Sequence, residues 1–417
     1  MHRLSAYAVW LAYEGAASFL NAVMFTVTAV YFVVEVGMNP LELVLVGTVM
    51  ELTVFLFEVP TGVVADTYGR RLSIVIGTLV MGAAFVLVGL VSVTGLILLG
   101  YAVWGLGWTF TSGAFDAWLA DELGPDGLQR AYLRGAQVGR VAALGGIAAS
   151  VALASIDLQL PIVLGGLGGI GLGVFFALFM PETGFRPLPR EDRSSWGAMG
   201  QTAREGVRLV KGRPLLLLIL GIAAFWGLWS EGFDRLWEAH FLLDIGLPGL
   251  GGLDPVVWFG IFEAGALVLT IVVAARLTTR LEQAGREAMV RALFVLYLLM
   301  IASVVAFGLA GSFALAVAAF WATGVARSLA QPIYMTWLNR NIDNSSVRAT
   351  VISITNQADA VGQWTGGPGI GVIGTVFSIR AALVVGGLCL SPALLLYGRA
   401  IRHGGAEPEL EVVSARA

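Results

Sequence analysis

The chain has 417 residues, 57% of them hydrophobic and 13% charged, with a mean hydropathy of +0.83 and a formal net charge of -3. Soluble domains carry about 25% charged residues, so most of this chain is not made for water, and a bilayer is the solvent that fits. One cysteine, Cys389, rules out an intramolecular disulfide, and His2, His240 and His403 are too scattered to offer a metal-ligand spacing.

A helix crossing the hydrocarbon needs about 20 apolar residues. Twelve segments meet that requirement, near 6–34, 42–64, 72–92, 95–120, 132–155, 159–180, 214–240, 255–276, 288–309, 313–337, 349–376 and 380–400. The first run continues past residue 30 with no clear cleavage site, so it is read as a span and not as a leader. The polar stretch 181–213 divides the segments six and six. Within it, Trp196 to Val210 is expected to form a helix lying on the membrane surface. The organisation expected is an N-terminal half at 1–180, a central loop at 181–213, a C-terminal half at 214–403 and a short tail at 404–417.

Basic residues gather on one side of these spans. With the N-terminus inside, the inner loops, tails and inner helix ends hold every Lys and Arg except Arg380, which lies outside, and Arg235 and Arg327, which lie within helices. That tally places Arg140 near the inner start of the fifth span. The bias predicts both termini and 181–213 in the cytoplasm of a cell-membrane protein.

The halves repeat. Asp66, Gly69 and Arg70 follow the second span, and Glu282, Gly285 and Arg286 follow the eighth with the same acidic-x-x-Gly-Arg spacing. Trp118-Leu119 precedes Arg130-Ala131 as Trp337-Leu338 precedes Arg348-Ala349. With six spans per half, both halves start on the same side, so the repeats are parallel.

Charge and aromatic groups inside the spans mark the candidate sites. Glu14, Glu51, Glu58, Asp116, Glu263, Arg327 and Asp359 all fall at membrane depth, where an ionisable group costs about 2.5–3.5 kcal/mol and faces a partner or a cavity. Glu51 and Glu58, seven residues apart, share a helix face. Glu231, Asp234, Arg235 and Glu238 cluster at the outer end of the seventh span; their i,i+4 and i,i+3 spacings allow a self-neutralised outer rim or part of an outer gate. Trp104, Trp108, Trp226 and Trp229 lie deep in their spans, and Asn21 sits mid-way along the first. Each can contact a ligand or simply pack against a neighbouring helix.

The stretch "EVPTGVVADTYGRR", Glu58 to Arg71, closes the second span and opens the third. Gly62 would permit close helix approach, Gly69 a tight turn, and Asp66 could accept from the free N–H groups at a helix start, while Arg70 and Arg71 suit the cytoplasmic interface. These residues follow a G-x-x-x-D-x-x-G-R-[RK] pattern and resemble the signature loop of the major facilitator superfamily. The resemblance covers essentially the whole chain. It implies an all-α integral membrane fold of twelve transmembrane helices in two six-helix pseudo-symmetric halves, working as a monomer by alternating access. It also implies that Asp66 braces the eleventh helix and that Arg70 pairs with Asp121, together holding the inner side shut.

The same resemblance implies that helices 1, 4, 7 and 10 line a central cavity, which makes Asn21, Trp104, Trp108, Trp226 and Trp229 substrate-contact candidates. Helix 2 would meet helix 11, bringing Glu51, Glu58, Asp359 and Arg327 to similar depth. Such a group either couples transport to protons, with Glu14 as a further candidate, or forms a static network. "FEVPTGVVADTYGRR" and "SGAFDAWLADEL" resemble drug-efflux members of the tetracycline and macrolide type, although the basic residue in helix 4 and the Gly-Pro kink in helix 5 are missing. Helix 10 instead carries Arg327, and helix 11 carries Gly367-Pro368.

The expected activity is proton-coupled efflux of drug-like small molecules. Uptake of a sugar or other nutrient, and a transporter-like sensor, are the competing readings. No enzyme, catalytic residue, cofactor, metal or nucleic-acid partner is expected. "GLGGIGLG" at 166–173 lies inside a span and reads as helix packing, not as a nucleotide loop.

Overall fold

The computed structural model describes residues 4–185, 214–249, 251, 254–282, 285–340 and 345–403. The expected surface helix at 196–210 lies outside them, as does the tail 404–417. Among the described residues every regular element is helical. In chain order these are α1 (Ala6–Tyr31), α2 (Pro40–Tyr68), α3 (Arg70–Leu90), α4 (Thr94–Gly124), α5 (Gly127–Ala154), α6 (Gln159–Phe179), α7 (Pro214–Ala239), α8 (Val257–Glu282), α9 (Arg286–Gly308), α10 (Phe313–Arg340), α11 (Ser345–Val376), α12 (Ile379–Cys389) and α13 (Ser391–His403). One π turn extends α1 over Phe32–Val36, and another extends α7 over His240–Ile245.

Eleven stretches among the described residues are long and apolar enough to span a bilayer, with α12 and α13 together counting as one. The helix α11 is not among them. Thr355, Asn356, Gln357, Asp359 and Gln363 lower its hydropathy, yet it runs for 32 residues through Pro368. The last expected span is broken at Leu390 into two shorter helices.

Local chemistry sets the helix ends. Ser5 accepts from Ala8 N at α1, and Ser378 accepts from Ala381 N at α12. Asn39 and Glu42 form a reciprocal capping box at α2, with Pro40 in the first turn, where its missing N–H does no harm. Five described glycines hold a positive φ, which other residues adopt only under strain, and two of them turn the chain between consecutive helices without a longer loop. Gly69, at φ 125, separates α2 from α3, and Gly124, at φ 66, separates α4 from α5. Gly285, its counterpart in the repeat, has an ordinary φ of -65.

The turn at Gly124 corrects one boundary. The fifth helix begins at Gly127 and not near 132, so Arg140 lies thirteen residues from its start and fourteen from its end. It lies mid-way along this candidate span and not at the inner helix end.

The chain forms two compact units, Met1–Gly200 with Arg235–Ala264, and Gln201–Asp234 with Gly265–Ala417. In the first, α3 packs on α4 and α6, and α1 on α5 and α6. Glycines set the close approaches. A Cβ at Gly82 would meet the backbone of Gly166 and Ile170, and one at Gly139 would meet Ser18 Oγ. A core of Trp10, Ile74, Phe115, Trp118, Phe176 and Met180 ties these helices together. In the second unit α9 packs on α10, α12 and α13. There α7 and α11 meet along Gly227, Gly232, Gly362 and Gly366. Small residues let helices approach closely in lipid, where no hydrophobic force drives them together.

Candidate functional site

In the first unit the corner between α2 and α3 brings the signature residues together. Arg70 Nη1 lies 3.2 Å from Asp121 Oδ2 at the end of α4, and Arg70 Nη2 lies 3.8 Å from Asp66 Oδ1. The expected pairing of Arg70 with Asp121 is therefore present in the geometry. Asp66 does not cap α3. Glu182, just past α6, takes that place by accepting from Arg71 N at 2.8 Å, and its carboxylate would lie 3.1 Å from a Cβ at Gly69. A Cβ at Gly62 would meet no described heavy atom within 4 Å, so the close approach expected there is not among the described contacts.

The segment that follows α6 is held at several points. Trp118 Nε1 donates to Pro181 O at 2.7 Å, and Glu122 accepts from Thr183 Oγ1 at 2.7 Å and from Gly184 N at 2.8 Å. Arg71 donates to Ala177 O. Glu122 and Glu182 carry this arrangement, and the motif reading missed both. Their only sequence signal is an acid directly after a span, "ADEL" and "MPETG". Because Glu182 satisfies an orphan N–H at the start of α3, Glu182→Ala is expected to lower stability by about 1 kcal/mol. Glu182→Gln, which keeps an acceptor oxygen, should cost less. The midpoint of thermal unfolding in detergent reads both, and equal midpoints for the parent and the alanine variant would remove this role.

On α1, Glu14, Asn21 and Phe25 share one helix face, and Phe25 stands beside an aromatic stripe on α4. Trp104 stacks on Trp108 at 5.8 Å between ring centroids, and Phe25 meets Trp104 edge-on at 6.1 Å. Asn21 is exposed, as is Trp108 at 42%. Glu14 packs on α5, where a Cβ at Gly135 would meet its side chain. Tyr132 Oη donates to Asp116 Oδ1 at 2.9 Å, tying α5 to α4. On α2, Glu51 is half-buried and Glu58 is exposed.

The second unit holds a separate charged group. Arg327 of α10 donates through both terminal nitrogens to the Asp234 carboxylate of α7, one of the two bonds being 2.8 Å. Its guanidinium carbon also lies 5.7 Å from the Trp226 ring centre and 5.4 Å from that of Trp229. A planar guanidinium makes both contacts at once, using its edge for the carboxylate and its faces for the rings. The pairing of Asp234 reaches beyond the self-neutralised set expected at the outer rim. Asp234 does not serve only its helix neighbours but anchors α10, while Glu231 and Glu238 are buried and not exposed at a rim.

Asp359 is not the hydrogen-bonded partner of Arg327. Its Oδ2 accepts from Gln363 at 3.3 Å, its Oδ1 is buried without a hydrogen-bond partner, and its backbone lies against Gly227. Of the predicted tryptophans, Trp229 is buried and stacked on Phe233, whereas Trp226 is half-buried beside Tyr297. Trp226 and Trp229 thus hold an arginine, a role that helical spacing alone does not reveal. No group of three or more His, Cys, Asp or Glu among the described residues could hold a metal ion.

Residues 11–362 match the sequence model described as Major Facilitator Superfamily. The uncharacterized MFS-type transporter YxaM of Bacillus subtilis (strain 168) is 24% identical over 372 residues, covering 86% of both chains. The solved structure of the nucleoside transporter NupG superposes with a TM-score of 0.73 at 12% identity, over 97% of this chain and 100% of that one. A bacterial homolog of the human lysosomal transporter Spinster gives 0.71 at 15% identity, over 95% and 96%. At such identities the structural likeness speaks for the fold.

Proposed function

The chain belongs to the Major Facilitator Superfamily, and from that premise we propose a proton-coupled secondary transporter that exports drug-like small molecules by alternating access. The halves that would rock against each other are 1–180 and 214–403. The distribution of basic residues supports an orientation with both termini cytoplasmic. The likeness of residues 57–71 and 112–123 to efflux members supports the outward direction. Asp66, Arg70 and Asp121 would latch the inner side.

The observation that carries the coupling is Arg327 held by Asp234, with Asp359 on the neighbouring helix offering a buried oxygen that accepts nothing. A guanidinium keeps its proton throughout, so its part is to change partners. When Asp359 is protonated, Arg327 stays with Asp234. When Asp359 releases its proton, the new carboxylate competes for Arg327, and the pull between α7, α10 and α11 changes. Glu51, Glu58 and Glu14 become secondary candidates under this reading.

Growth of a susceptible host against a panel of antibiotics and dyes identifies the cargo. In proteoliposomes with an imposed pH gradient, Asp359→Asn is then expected to abolish uphill movement of that cargo while downhill exchange continues. Uphill transport equal to the parent would remove Asp359 from the coupling step.

A further inference from the structure

Arg140 sits at the midpoint of α5, about 20 Å of helix from either end. It is exposed, and no hydrogen bond or ion pair joins it to a described residue. Arg327, another described arginine within a span, behaves differently, being bonded to Asp234 and flanked by two rings. An arginine at the bilayer centre faces water or a partner, because a lipid-facing position there is costly.

The helix shows which side Arg140 occupies. The residues Gly135, Gly139 and Gly146 face α1. Seven and eleven residues past Arg140, Ile147 and Val151 lie against Gly260 of α8. These spacings return to one helix face, so Arg140 belongs to the face that meets protein further out and not to a lipid-facing stripe.

Depth supplies its neighbours. The Tyr132–Asp116 bond fixes the register of α5 against α4. Arg140 is eight residues beyond Tyr132, and Trp108 is eight residues before Asp116, each about 12 Å along its helix in the same direction. Arg140 therefore shares its depth with Trp108, whose ring is exposed and backed by Trp104. On α1, Ser18 lies against Gly139 and Ala22 against Gly146, so the exposed amide of Asn21 is about one turn away. The Glu14 carboxylate lies between Gly135 and Gly139, and that of Asp116 lies at the depth of Tyr132; neither is bonded to Arg140.

We propose that Arg140 binds the anionic group of the transported molecule, an organic anion whose planar apolar body lies on Trp108 and whose polar edge reaches Asn21. This assignment rests on the transporter reading and narrows its substrate class. Guanidinium pairs with carboxylate, sulfonate or phosphate through matched planar donors, and a tryptophan face offers area at little conformational cost.

The test does not require the natural cargo. Single cysteines placed one turn to either side, Ala136→Cys and Leu144→Cys in a Cys389→Ser background, are reacted in lipid nanodiscs with sulfonatoethyl and with trimethylammonioethyl methanethiosulfonate. With Arg140 present, the ratio of anionic to cationic reaction rates is expected to exceed that in Arg140→Gln by roughly tenfold, and Arg140→Lys should retain most of it. A ratio unmoved by Arg140→Gln, or thiols that neither reagent reaches, overturns the site. As the second arm, 2-naphthoate should slow labelling while 2-naphthylmethylammonium does not. Equal protection by both, or protection by neither, overturns the planar-anion assignment. The rate ratio depends on no transport step, so it can stand where Asp359→Asn leaves uphill transport intact, and it can fail where coupling holds.

Discussion

Asp234→Ala is expected to be one of the most damaging single substitutions in the chain. It leaves the Arg327 guanidinium between Trp226 and Trp229 with its bidentate partner removed. Breaking one side of a fully buried pair costs about 3–5 kcal/mol. Here the two side chains keep 34% and 38% of their exposure, so water and rearrangement relieve part of that, and about 2 kcal/mol is expected. The substitution Arg327→Met in the Asp234→Ala background removes the stranded charge and should recover much of the thermal stability, but it should not restore transport. A double-mutant cycle on unfolding in detergent measures the coupling, and a value near zero would show that the pair contributes nothing to the fold.

Gly362→Leu should prevent recovery of folded protein altogether. A Cβ at Gly362 already falls on the Ala224 carbonyl and within 2.9 Å of Leu228 N. The obstacle is backbone, which cannot rotate away as a side chain can. Even Gly362→Ala is expected to cost about 1–3 kcal/mol, the usual range for overpacking. The contrast is Gly171→Ala in α6, where a Cβ meets nothing within 4 Å. That change should stay within about 1 kcal/mol and lean toward stabilisation, because alanine is the better helix former. Size-exclusion profiles of the solubilised proteins, followed by melting midpoints, separate the three variants. Equal profiles for Gly362→Leu and the parent would mean that α7 and α11 do not approach as described.

Hydropathy made the helices legible, because a span must satisfy its backbone internally and leaves a run of about 20 apolar residues. It also erred where physics separates hydropathy from structure. The residues Gly124, Pro125, Asp126 and Gly127 read as a loop, but Gly124 alone makes the corner and α5 starts at once, which moves Arg140 to the middle of its helix. The pairing of Arg70 with Asp121 could be read because it belongs to a motif with fixed spacing. The pairing of Arg327 with Asp234 could not, since 93 residues separate the partners while Arg235, next to Asp234 in sequence, offers a nearer cation. Glu182 left only the trace of an acid after a span, because a cap on another helix leaves no periodic pattern in its own.

The hold on Pro181, Thr183 and Gly184 bears on where this protein can be divided. The chain leaving α6 is fastened to Trp118 and Glu122, and Glu182 fastens it to the start of α3. A cut before Gly184 would therefore strip the first unit of bonds that belong to its own interior. A cut after Phe185 would spare them all. A split-protein pair, a protease site or a fluorescent insertion should accordingly be placed beyond residue 185, where the first fragment keeps its fastenings.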